Sequence, residues 1–227
     1  MGSSFEVRPD LRLQELLEEL PAARLVLSRY GSVGLEEDGP DRTLERFAGE
    51  RDVPVEKVIG ELRRVAEVSL GEPPPESFSA LLGVHEWVDE LFLAHQEALL
   101  EQDFGLAMEL LERVYEGQRQ HIRVEEEILL PVYARAGRIP GGDPKLYLNE
   151  HRKMIRLLED FRKTIPLLER KAPGERRREI IELFDKGYWY KRLHEHHDNR
   201  EKNILYPALD KVTDVQERRK LIRRCLP

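Results

Sequence analysis

The stretch His121-Ile122-Arg123-Val124-Glu125, followed six residues later by Pro131, decides the reading of this chain. It recurs as His197-Asp198-Asn199-Arg200-Glu201, again with a proline, Pro207, six residues on. In both copies His and Glu stand at i and i+4, which on a helix puts an imidazole and a carboxylate one turn apart on one face. Between Glu and Pro both copies are largely apolar. A lone HxxxE is commonly an exposed pair on a solvated helix. Two copies that match through to the proline predict two ligand-bearing helices of a metal-binding bundle.

The surrounding chain fits that reading. It has 227 residues, a net charge of -7 and 36% charged residues, so it predicts a soluble, mildly acidic protein with no electrostatic footprint for nucleic acid. The basic runs Arg176-Arg177-Arg178 and Arg218-Arg219-Lys220 read as solvated helix faces. Cys225 is the only cysteine, which excludes internal disulfides and thiolate zinc sites. No apolar run reaches the roughly 20 residues a membrane span needs, and Met1–Asp10 has no signal-peptide core, so the expected location is the cytoplasm.

Four parts are expected: a small helical domain at 1–72, a Pro-rich linker at 73–76, a bundle at 77–212 and a helical tail at 213–227. In the first, Asp10 is expected to cap a helix from Leu11, and Pro21 to start a second that Gly31 ends. A loop covers Gly31–Pro40, Asp41 or Thr43 starts a third helix, and Pro54 opens a fourth. Gly71-Glu72-Pro73-Pro74-Pro75 reads as a stiff connector. Then come four long helical patterns: from Ser77 or Ser79 to about Glu101, from about Asp103 to Ala136, from Lys145 to about Lys171 with a kink at Pro166, and from beyond Pro173-Gly174 through the second HxxxE. With no period-2 run anywhere, the fold class is all-α, an up-down-up-down four-helix bundle behind a small helical domain.

Chain length selects the partner histidines. His121 lies eighteen residues beyond Asp103 and His85 eighteen before it. His95 is ten residues nearer the turn, about 15 Å out of level at 1.5 Å per residue. His151 and His197 are likewise each twenty-three residues from Gly174. The candidate metal set is therefore His85, His121, Glu125, His151, His197 and Glu201. Four imidazoles and two carboxylates exceed one tetrahedral zinc and suit two carboxylate-bridged ions, best iron, with manganese, zinc or copper as alternatives. A ferritin-like site would instead use Glu-x-x-His. His95, His194 and His196 read as non-ligands, with His194 the closest case. Glu126, Glu127 and Glu150 read as solvated, though able to orient a ligand histidine through its second nitrogen. Trp87, Tyr133, Trp189 and Tyr206 read as core filler.

The order His…HxxxE…His…HxxxE, covering about Phe78 to Lys211, resembles the hemerythrin-like (HHE cation-binding) family. The resemblance implies a non-haem di-iron centre, oxo- or hydroxo-bridged, with the four histidines as terminal ligands, Glu125 and Glu201 bridging, and manganese or zinc as substitutes. It also implies O2 or NO as the small ligand. Leu13-Gln14-Glu15-Leu16-Leu17, Pro21-Ala22-Ala23, Arg29-Tyr30-Gly31 and Thr43-Leu44-Glu45 resemble the small domain preceding the bundle in iron–sulfur cluster repair di-iron proteins (the ScdA/RIC type). Those carry cysteines just after Tyr-Gly, where this chain has Ser32-Val33-Gly34-Leu35, so architecture carries over and thiol chemistry does not. The functions implied are redox chemistry with O2 or NO, in cluster repair or an oxidative or nitrosative stress response with a damaged iron–sulfur protein as partner. Alternatives are an O2 carrier, an O2 or iron sensor, or a structural bundle with incidental metal affinity.

Overall fold

The computed structural model describes residues 5–31, 41–70 and 76–225. Most of the expected loop at 31–40, the Gly71–Pro75 connector and the positions that lack cysteines, Ser32–Leu35, lie outside the described residues. In order the helices are α1 (Leu13–Glu19), α2 (Ala23–Leu27), α3 (Leu44–Gly49), α4 (Val55–Ser69), α5 (Gly83–Leu100), α6 (Phe104–Val124), α7 (Pro144–Leu168), α8 (Pro173–Arg200), α9 (Tyr206–Val212) and α10 (Val215–Cys225), with shorter turns between them. Among the described residues there is no strand beyond an isolated bridge between Arg12 and Thr43. None of the described helices is long and apolar enough to cross a membrane.

The chain divides into two compact units. One comprises Met1–Ser79, Tyr133–Asp143 and Asn199–Arg218. Its core gathers Leu13, Leu16, Val26, Leu27, Phe47, Leu62 and Val65, all fully buried, with Ile204, Leu205 and Leu209 buried equally. The expected Asp10 cap is not formed. Leu13 N donates to Arg42 O at 2.8 Å and Leu44 N to Leu11 O at 2.9 Å, so residues 11–13 are committed to an extended pairing and α1 starts only at Leu13. Asp10 instead pairs with Arg8 at 3.1 Å. Thr43 does cap α3, accepting from Arg46 N at 3.3 Å. Ser77 caps no α-helix. Its hydroxyl accepts from Ser79 N and donates to Asp210, which also accepts from Phe78 N and pairs with buried Arg218. A 3-10 turn at Phe78–Leu82 follows it, and α5 begins only at Gly83.

The other unit, Ala80–Val132, Pro144–Asp198 and Arg219–Pro227, holds the four long helices α5 to α8. The chain is an all-α four-helix bundle, as its periodicity predicts. Asp103 caps α6 by accepting from Leu106 N at 3.0 Å. Val88, Phe92, Leu99, Leu111, Val114, Leu158, Phe161, Ile165 and Leu183 belong to its buried apolar core. α7 ends at Leu168, two residues beyond Pro166. Arg176 closes it by donating to Leu168 O at 3.0 Å and Glu169 O at 3.1 Å. Pro173 opens α8, where its missing N–H is no loss. Trp87 and Trp189 are not core filler: they are 44% and 66% exposed. Gly117 allows α5 and α6 to approach, since a Cβ there would lie 2.4 Å from the Trp87 ring.

Both HxxxE motifs run straight into a π-helical turn, Glu125–Leu129 and Glu201–Leu205, beginning at the glutamate itself. Leu130 N bonds to Glu125 O and Tyr206 N to Glu201 O, each five residues back. The prolines explain the widening. In an α-helix the rings of Pro131 and Pro207 would press on the carbonyls of Glu127 and Asn203, and a turn holding one extra residue relieves that clash.

Candidate metal centre

All of the sequence-selected histidines are buried, and so are both glutamates. His197, Glu125 and Glu201 are fully so, and His85, His121 and His151 are 3%, 7% and 1% exposed. α5 supplies His85, α6 supplies His121, the π turn that follows α6 supplies Glu125, α7 supplies His151 and α8 supplies His197.

The four imidazoles form two pairs. Nε2 of His85 lies 3.0 Å from Nε2 of His121, the rings edge-on at 81°. His151 and His197 have ring centroids 4.8 Å apart at 73°. Glu125 sits between the pairs. Its Oε1 is 3.6 Å from Nε2 of His121, and its Oε2 is 3.0 Å from Nε2 of His151 and 3.5 Å from Nε2 of His197. His121, Glu125 and His197 each offer a ligand atom within 4.8 Å of the others. Glu201 stands one turn beyond His197 on the continuing helix, and Tyr206 Oη donates to its Oε2 at 2.8 Å.

Behind three of the imidazoles stands a carboxylate on the opposite ring nitrogen. Nδ1 of His85 meets Asp198 Oδ1 at 2.6 Å, Nδ1 of His151 meets Glu126 Oε1 at 2.8 Å, and Nδ1 of His197 meets Glu150 Oε2 at 3.1 Å. A proton held on Nδ1 and donated outward leaves a lone pair on Nε2 directed inward, the arrangement that orients histidine ligands of metals. Glu150 is therefore not solvated; it is 7% exposed because His197 draws it inward. Asp198 went unnoticed in the sequence although it adjoins His197, because only the cross-helix register shows which ring it faces.

The donor set fits bound cations. Glu125 Oε1 is buried with no hydrogen-bond partner among the described residues, an expensive arrangement for a carboxylate oxygen without a cation to satisfy it. His95, set aside on level, is fully buried away from this group, its Nδ1 2.7 Å from Ala107 O. Burial holds its pKa below the usual imidazole value, partly offset by that backbone bond. His196 is 43% exposed. His194 is 2% exposed, its Nδ1 3.0 Å from Asp89 Oδ1.

A four-helix bundle that gathers buried, paired imidazoles around a buried carboxylate defines a metal-binding helical protein. The family model described as Hemerythrin HHE cation binding domain matches residues 76–209, and the chain belongs to that family. Comparisons with curated proteins and with solved structures gave no match.

Proposed function

We propose that the chain is a non-haem di-iron protein that binds or reacts with O2 or NO, with His85 and His121 holding one iron, His151 and His197 the other, and Glu125 and Glu201 bridging. The observation that supports this reading is the division of Glu125: one oxygen faces His121 of the first imidazole pair and the other faces both His151 and His197 of the second. One carboxylate placed so between two nitrogen pairs suits two cations better than one. Bound iron would supply the redox change and the open coordination positions for a diatomic ligand. The chain's own groups do the rest. Glu126 and Glu150 hold the imidazoles of His151 and His197 in one tautomer, Asp198 lies against Nδ1 of His85, and Tyr206 fixes the orientation of Glu201. Tyr147, fully buried with its ring 6.0 Å from that of His197, helps keep water out.

A place among iron–sulfur repair or stress-response proteins, without a thiol step, rests on the sequence resemblance of Leu13–Leu17, Pro21–Ala23, Arg29–Gly31 and Thr43–Glu45 to the small domain of such proteins. Optical spectra and stopped-flow traces of the anaerobically reduced, iron-loaded protein mixed with O2 or NO test the reading. Rapid oxidation is expected. A stable, reversible oxy band would establish the carrier or sensor function instead, and no iron-dependent signal at all would overturn both.

A further inference from the structure

Asp89 on α5 and His194 and Asp198 on α8 converge beside the centre, and no role above uses them as a group. Their ligand atoms lie within 4.8 Å of one another. Nδ1 of His194 is 3.0 Å from Asp89 Oδ1 and 3.8 Å from Asp198 Oδ2. Two carboxylates thus face one ring nitrogen, which can offer a single proton to only one of them, and the second lies beyond hydrogen-bond reach. A divalent ion would satisfy all three groups at once, and two carboxylates with a neutral imidazole match its charge.

The groups are also held in place. The Tyr190 ring stacks on His194 at 5.8 Å and 12°, and its hydroxyl donates to Gln118 Oε1 at 3.2 Å. The other oxygen of Asp198 lies 2.6 Å from Nδ1 of His85, and Asp89 is 54% exposed, so an ion could reach the group from solvent.

We propose that Asp89, His194 and Asp198 form an outer site for one divalent transition ion of intermediate softness, such as Mn2+, Fe2+ or Zn2+. Three protein ligands leave coordination positions for water, so the ion there exchanges with solvent. Asp198 belongs to both sites, one oxygen turned to each.

The test loads the full chain with two equivalents of Zn2+, desalts it and titrates it with Mn2+, reading free Mn2+ by its EPR signal. The wild type is expected to take up one further Mn2+. Asp89→Asn, a change at a half-exposed position, is expected to abolish that uptake with zinc content unchanged, and His194→Gln to do the same. Uptake that survives Asp89→Asn, or no uptake by the wild type, would overturn the outer site and leave a plain His–Asp hydrogen bond. The two readings fail separately. Zinc that does not bind counts against the inner centre, whereas loss of Mn2+ uptake in Asp89→Asn alone still upholds the outer site.

Discussion

Asp198 turns one oxygen to His85 and the other toward His194, and that split separates the legible part of the site from the illegible part. The HxxxE pairs could be read because i and i+4 share a helix face whatever the tertiary fold. His85 and His151 could be read because antiparallel helices joined by a short turn pair residues equidistant from it. The carboxylates behind the rings could not. Whether Asp198 meets a ring of α5 or faces solvent depends on helix rotation, and a one-residue error turns a side chain through about 100°. At this scale the ligand set is open to direct attack. We expect His121→Ala and Glu201→Ala to remove most bound metal and His95→Ala to leave the metal per chain unchanged, measured by elemental analysis of purified protein. Equal loss in all three variants would overturn the ligand assignment.

At the scale of elements, helix existence and order followed from periodicity, while several helix starts did not. Asp10 and Ser77 are good capping residues that other partners claimed, the first through the pairing of residues 11–13 with 42–44, the second through Asp210. The π turns also escaped the sequence reading, although Pro131 and Pro207 were in plain view. A proline inside a helical pattern suggests a kink or an end, and here the chain answers with one surplus residue per turn. Deleting exposed Glu127 should force the turn back to α geometry against Pro131 and cost about 3 kcal/mol in urea unfolding. Combining the deletion with Pro131→Ala should restore most of that. No restoration would mean the extra residue serves something other than the proline.

For the whole molecule, stability should carry the mark of His95. Its folded pKa is lowered by burial, so below about pH 6.5 the unfolded chain binds a proton that the folded chain resists. Stability is expected to be flat above that pH and to fall as acid is added, until the folded group also titrates. In metal-loaded protein, thermal midpoints of His95→Gln should show a shallower acid slope than the wild type; identical slopes would place the acid sensitivity elsewhere. The single thiol adds a last consequence. Cys225 is buried near the end of α10, and burial, with the charge of Glu125 adding to it and Arg224 opposing, pushes its pKa up to about 11. At neutral pH roughly one molecule in ten thousand carries the thiolate, the form that oxidants and nitrosating agents attack. A chain proposed to meet such reagents at its iron thus presents almost no thiolate for them to consume, and iodoacetamide should label the native protein far more slowly than the urea-unfolded one.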